Sequence, residues 1–172
     1  MQIVLYDANV LYPAPLRDLL MQLAFEEIIQ AHWTKEIHEE WIRNIIQNRS
    51  DLNLKSMQAV AELMNSSVEG ALLQGFEALI LNLTLPDPDD RHVLAASIHG
   101  KVQKIITNNL KDFPASHLEP YELVAQSPDE FILELLETNN QQVLSALRNV
   151  QSRLRKPPVP MPIYYRRSSK WA

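Results

Sequence analysis

The sequence predicts an α/β fold, a mainly parallel sheet of four or five strands with crossover helices, followed by a C-terminal helical extension. Short apolar runs such as Ile3–Tyr6 and Ile105–Ile106 lack polar alternation, as strands buried on both faces do. Segments of helical periodicity separate these runs, which points to parallel strands joined by crossovers. Polar residues follow the runs directly: Asp7 and Asn9 after the first, Thr107, Asn109 and Asp112 after the other. Ligands of such sheets gather at the strands' carboxyl ends, so these positions are the first candidates for a site.

Taken in order, Ile3–Tyr6 is the first strand. Pro13 and Pro15 open a helix with Leu16, Leu19, Leu20 and Leu23 at helical spacing. Thr34 suits the N-cap of a helix reaching Asn48, with Ile37, Trp41 and Ile45 on one stripe. Leu54–Val68 continues the helical pattern. Gly70 and Gly75 loosen the chain before Ala78–Leu85, which reads as a second apolar strand or extended approach ending at Pro86. Asp87-Pro88-Asp89-Asp90 starts a helix, with Asp87 as N-cap and Pro88 at the first position, and Gly100 ends it. Val102–Thr107 is an interior strand and Tyr121–Ala125 a further one. Ser127 caps a helix through Leu136, and Gln141–Leu154 gives one more. Four prolines between Pro157 and Pro162 then forbid regular helix. The expected organisation is a domain over 1–125, a helical extension packed on it over 126–156, and a Pro-rich basic tail over 157–172.

Composition removes whole function classes. With no cysteine, disulfides, thiolate zinc sites and cysteine nucleophiles are out. Three glycines cannot write a GxGxxG fingerprint or a phosphate-binding P-loop. No apolar run approaches the roughly 18 residues of a membrane span, and Asp7 interrupts the start too early for a signal peptide. A cytoplasmic protein without membrane contact is therefore expected. The net charge of −5 is unevenly placed, because 139–172 holds seven Lys and Arg and no acid, leaving −12 for the rest. Such a tail suggests a polyanionic or acidic partner, while basic residues near a helix C-terminus also suit its dipole.

Side-by-side placement of the first strand and Ile105–Thr107 opens Asp7 and Asp112 onto one crevice, which Asp90 reaches from its helix's first turn. Like charges gathered there disfavour one another's ionisation, and a divalent cation resolves that cost. Oxygen ligands without cysteine or paired histidines suit Mg²⁺ or Mn²⁺ rather than Zn²⁺. The chemistry that follows is phosphodiester hydrolysis. Asp87, Asp89 and Asp90 also serve simply as a cap and as complements to the helix dipole. Asp7, ending a buried strand, needs partners or a function.

At these residues the chain resembles the PIN domain family of small metal-dependent ribonucleases, and most closely its VapC-like bacterial toxin branch. The matching pieces, in the family's order, are Tyr6-Asp7-Ala8-Asn9-Val10-Leu11, Glu39-Glu40-Trp41, Asp87 through Ala96, and Ile105 through Pro114. The resemblance implies an α/β/α sandwich, an endoribonuclease dependent on Mg²⁺ or Mn²⁺, an RNA substrate, an antitoxin partner and a homodimer. It makes Asp7, Glu40, Asp90 and Asp112 the catalytic, metal-holding acids, with Asn9 and Thr107 supporting them. Where many relatives carry an acid two residues beyond that Thr, this chain has Asn109, leaving Asp112 or Asn109 for the fourth position. Helical arithmetic alone does not separate Glu40 from Glu39. Arg91 and Lys111 flank the acids and suit substrate phosphates as well as surface ion pairs.

Two other histories use the same residues. A haloacid-dehalogenase phosphatase also begins with Asp after a buried strand, but it wants a second Asp where Asn9 stands and places its paired acids after the Thr-Asn motif. A non-catalytic acidic crevice would bind basic side chains of a partner. Trp33 and Trp41 read as core anchors. None of the five histidines has metal-ligand spacing. Tyr164, Tyr165, Arg166, Arg167, Lys170 and Trp171 interleave aromatic and basic groups, as single-strand binders do and as unused tails also do.

Overall fold

Residues 1–154 are described by the computed structural model; the Pro-rich basic segment expected at 157–172 lies outside the described residues, as do Arg155 and Lys156. Four strands, β1 (Ile3–Tyr6), β2 (Gln30–His32), β3 (Lys104–Ile106) and β4 (Val124–Gln126), form one sheet in the order β2-β1-β3-β4. Every pairing is parallel. The central strand β1 is apolar on both faces, and Val4, Leu5 and Tyr6 are wholly buried. Pairing runs one residue past the strand ends: Asp7 N donates to Ile106 O and Thr107 N to Gln126 O, each at 3.0 Å. Asp7 and Thr107 are thereby set side by side at the carboxyl edge.

Helix α1 (Ala8–Leu11) turns the chain away from β1, and α2 (Ala14–Phe25) leads to β2 on one side. The return to β3 on the other side carries α3 (Lys35–Asn48), α4 (Leu54–Ser67) and α5 (Arg91–His99). Right-handed crossovers in opposite directions cover opposite faces, which makes the three-layer α/β/α sandwich. After α6 (Ala115–Leu118) and β4 come α7 (Pro128–Thr138) and α8 (Asn140–Leu154). Tyr6 donates from Oη to Leu20 O in α2 at 3.0 Å. On that same sheet face, Gln2 and Gln126 donate to Glu134 of α7 at 3.1 and 2.9 Å, and Lys104 forms an ion pair with it. Helix α8 locks onto α2 by a buried ion pair, Arg153 to Asp18 at 2.6 Å, with Arg153 also donating to Gln22.

Trp33 and Trp41 are wholly buried core anchors. They frame a polar network: Trp33 Nε1 donates to Asn65 Oδ1 at 2.7 Å, and Trp41 Nε1 donates to His38 Nδ1 at 3.0 Å. With Nδ1 accepting, the ring proton sits on Nε2 and is donated to Asn65 Oδ1 at 2.9 Å. Burial lowers His38 to about 4, so it is neutral at pH 7. The Arg17 guanidinium lies 4.7 Å over the Trp41 ring and donates to Leu11 O, fixing α3 against α1. Glu40 is thus presented from a rigid helix.

Three sequence expectations change. The 78–85 segment is no strand: Glu77–Asn82 is a 3₁₀ segment. Its Leu79 and Ile80 pack against the core while Leu81 is 83% exposed, so the apolar run is buried on one side only. Strand β2 was not expected, because three residues with Gln30 and His32 among them carry no readable period. The last strand starts at Val124 rather than Tyr121, since Glu119–Tyr121 forms a 3₁₀ turn and Glu122 takes φ +57°, which breaks extended backbone. The capping residues Thr34, Asp87 and Ser127 all accept the bonds their positions suggest. Among the described residues no helix is long and apolar enough to cross a membrane.

Candidate functional site

Asp7 directly follows β1 as the N-cap of α1 and is 4% exposed. Its Oδ1 accepts from Ala8 N at 2.8 Å, and its Oδ2 accepts from Thr107 Oγ1 at 2.8 Å and Asn9 Nδ2 at 2.9 Å. A carboxylate has about four acceptor positions, so Asp7 is pinned with one still open. The Thr107 hydroxyl is fully used, donating to Asp7 and accepting from Asn9 Nδ2 and Asn109 N at 3.0 Å each. Asn9 Oδ1 takes Asn108 N at 2.8 Å. Two strands separated by a hundred residues of chain are stitched at their carboxyl ends through these side chains. Burial raises the Asp7 carboxyl, against the pull of its hydrogen-bond donors.

The other acids surround this knot. Asp90 closes the 3₁₀ turn Pro88–Asp90 that leads into α5, and it is half-buried. Burial, then the charges of Asp7, Asp87, Asp112 and Glu40, push it up to about 7. Glu40, half-buried on α3, is raised by burial and next by Asp7. Glu39 instead pairs with Lys35 at 3.8 Å on the exposed face. Asp112 ends the 3₁₀ turn Leu110–Asp112. Among the described residues no Lys or Arg forms an ion pair with Asp7, Glu40, Asp90 or Asp112. Arg91 ties its Nε to Pro88 O at 3.0 Å, and Lys111 is exposed. A groove of about 740 Å³ between α3 and α4, lined by Lys35, Glu39 and Lys55 among others, contains none of the four acids. It is separate from the charged crevice.

A family profile described as PIN domain matches residues 3–111, which spans both strand ends and all the acids up to Lys111. The chain belongs to the PIN domain family. A second profile, described as the VapC50 C-terminal domain, matches residues 128–166. A curated protein of Mycobacterium tuberculosis (strain ATCC 25618 / H37Rv), named "Putative ribonuclease VapC50", is 48% identical over 48 residues, 28% of this chain and 28% of that protein. No solved structure matches.

In this PIN domain the donor set is chemically right for a hard divalent cation: carboxylate oxygens, crowded, with Arg43 and His92 reaching Glu40 only through space and no Lys or Arg ion pair to the four acids among the described residues. Among the described residues, no three acidic or imidazole groups stand close enough to hold one ion as placed. The fit therefore rests on donor chemistry and charge rather than a preformed cage. Sequence reasoning missed two groups at the crevice. His92 Nδ1 lies 3.4 Å from Glu36 Oε2, and the charge of His92 is felt at Asp7 and Glu40. Asp87, read only as a cap, also acts on Asp90 and Glu40 by charge. The available signal was spacing: Glu36 stands one helical turn before Glu40, and His92 two residues after Asp90.

Proposed function

We propose that this crevice is the active site of a metal-dependent endoribonuclease that hydrolyses phosphodiester bonds in RNA. The observation that supports it best is Asp7, pinned by Thr107 and Asn9 at the carboxyl edge of two central strands and crowded by acids with which no Lys or Arg forms an ion pair among the described residues. Asp7, Glu40, Asp90 and Asp112 would hold Mg²⁺ or Mn²⁺. The ion supplies charge neutralisation, polarisation of the phosphoryl oxygen and activation of water near neutral pH. Asn9 and Thr107 hold the Asp7 carboxylate in one orientation, and Asn109 contributes through its backbone N–H. Outer hydrogen bonds of this kind fix ligand geometry. Arg91 and Lys111 bind substrate phosphates, a contact without sequence selectivity. The protein acts in the cytoplasm as the toxin of a toxin–antitoxin pair, as a homodimer held in check by an antitoxin protein. RNA binding weakens with added salt.

The test is cleavage of a mixed single-stranded RNA by purified, partner-free protein with Mg²⁺, Mn²⁺ or EDTA. Metal-dependent cutting is expected, reduced at least about 100-fold in Asp7→Asn and Asp90→Asn. A silent wild type that still binds Mn²⁺, with both variants blind to it, would keep the site and reject this substrate. Silence without Mn²⁺ binding would replace the enzyme with an acidic interaction module.

A further inference from the structure

We infer that Glu36 and His92 form a strut that sets the separation of Glu40 from Asp90, making both of them positioning residues for the crevice. This rests on the reading of Glu40 and Asp90 as ligands of one cation. Glu36 lies in the first turn of α3, four residues before Glu40, so the two share a helix face about 6 Å apart along the axis. His92 is the second residue of α5, two beyond Asp90. Their contact, Nδ1 to Oε2 at 3.4 Å, joins the two elements immediately beside the acids they carry. Among the described residues, no other side-chain hydrogen bond or ion pair crosses from α3 to α5.

The asymmetry of burial argues that the contact is built rather than incidental. The His92 side chain is 14% exposed while Glu36 is 48% exposed. Nδ1 of His92 is fully enclosed and makes no regular hydrogen bond, so the Glu36 carboxylate is the polar group that compensates its burial. Nε2 of His92 has no hydrogen-bond partner among the described residues, so the contact with Glu36 is what orients the ring. A carboxylate that holds an imidazole in one orientation is the usual way to keep such a ring in register beside a charged site. Cut the strut, and the first turn of α3 and the start of α5 are free to spread under the mutual repulsion of Glu40 and Asp90.

The experiment uses the whole chain and reads Mn²⁺ affinity by titration calorimetry without RNA, then kcat and KM for RNA cleavage. Glu36→Ala and His92→Ala should each weaken Mn²⁺ binding about tenfold and lower kcat with little change in KM. The double variant should lose no more than either single one. His92→Asn, whose amide nitrogen falls near the place of Nδ1, should recover most of the loss. Should His92→Ala fail to fold, the half-exposed Glu36→Ala carries the test alone. Wild-type affinity in Glu36→Ala, or losses that simply add in the double variant, overturns the strut while Asp90→Asn still abolishes binding. A wild type that binds no Mn²⁺ overturns the strut and the cation reading together.

Discussion

Glu134, over one face of the sheet, and Asp90, in the crevice at the strands' carboxyl ends, are both partly exposed carboxylates, and they are treated in opposite ways. Glu134 receives Lys104, Gln126 and Gln2, which hold it down to about 2. Asp90 receives no Lys or Arg ion pair among the described residues and is pushed up to about 7 by burial and by four other acids. Asp18, deeper still, is given Arg153 and shares that cation with Gln22. Where a carboxylate fastens one layer to another, the chain supplies its own partner. Where the acids crowd at the strand ends, no Lys or Arg ion pair is supplied among the described residues, and a cation from outside would relieve that repulsion.

The pairing side is tested hardest by Arg153→Met, which strands the buried Asp18 carboxylate between α2 and α8. The expected loss is about 3–5 kcal/mol in urea unfolding, because removing one partner leaves an uncompensated buried charge. His38 gives the next effect. Its ring is neutral, at about 4 against an ordinary 6.5, so folding favours the unprotonated form. That contribution is whole above pH 6.5 and is lost as pH falls toward 4, because the unfolded chain takes the proton first. The span corresponds to about 3 kcal/mol, and a His38→Gln variant should show a flatter stability profile across that window. Glu134→Gln should cost about 1 kcal/mol, less at high salt, since the pair is partly exposed. Its sign with pH is that of a depressed carboxyl: the contribution is present above its ordinary 4.5 and is lost as pH falls toward about 2.

Much of this division was readable beforehand. Asp7 was legible because an acid directly after a doubly buried run has few bland explanations. Thr107 and Asn9 were legible for the same reason, lying just past strand ends that the alternation pairs. Thr34 and Ser127 announced their helices because capping is local chemistry. What depends on contacts between distant segments was not legible. Glu40 was set apart from Glu39 only by resemblance, since a helical wheel does not show which edge a neighbouring helix covers. The Glu36–His92 contact joins residues on different helices, and no single-helix period encodes it. The 78–85 run shows the converse failure: apolar content alone does not separate a strand from a one-sided 3₁₀ segment when Leu81 points to solvent. Strand β2 owes its existence to pairing with β1 rather than to its own three residues.

Thermal melting at pH 8 of the wild type and Asp90→Asn, with chelator and with Mn²⁺, decides whether the crowded acids are held apart for a cation. With chelator the variant should melt about 2 °C or more above the wild type, because one repelling charge is gone. Saturating Mn²⁺ should then raise the melting temperature of the wild type and leave that of the variant in place. A variant that melts below the wild type in chelator, together with equal shifts of both proteins in Mn²⁺, would contradict the account.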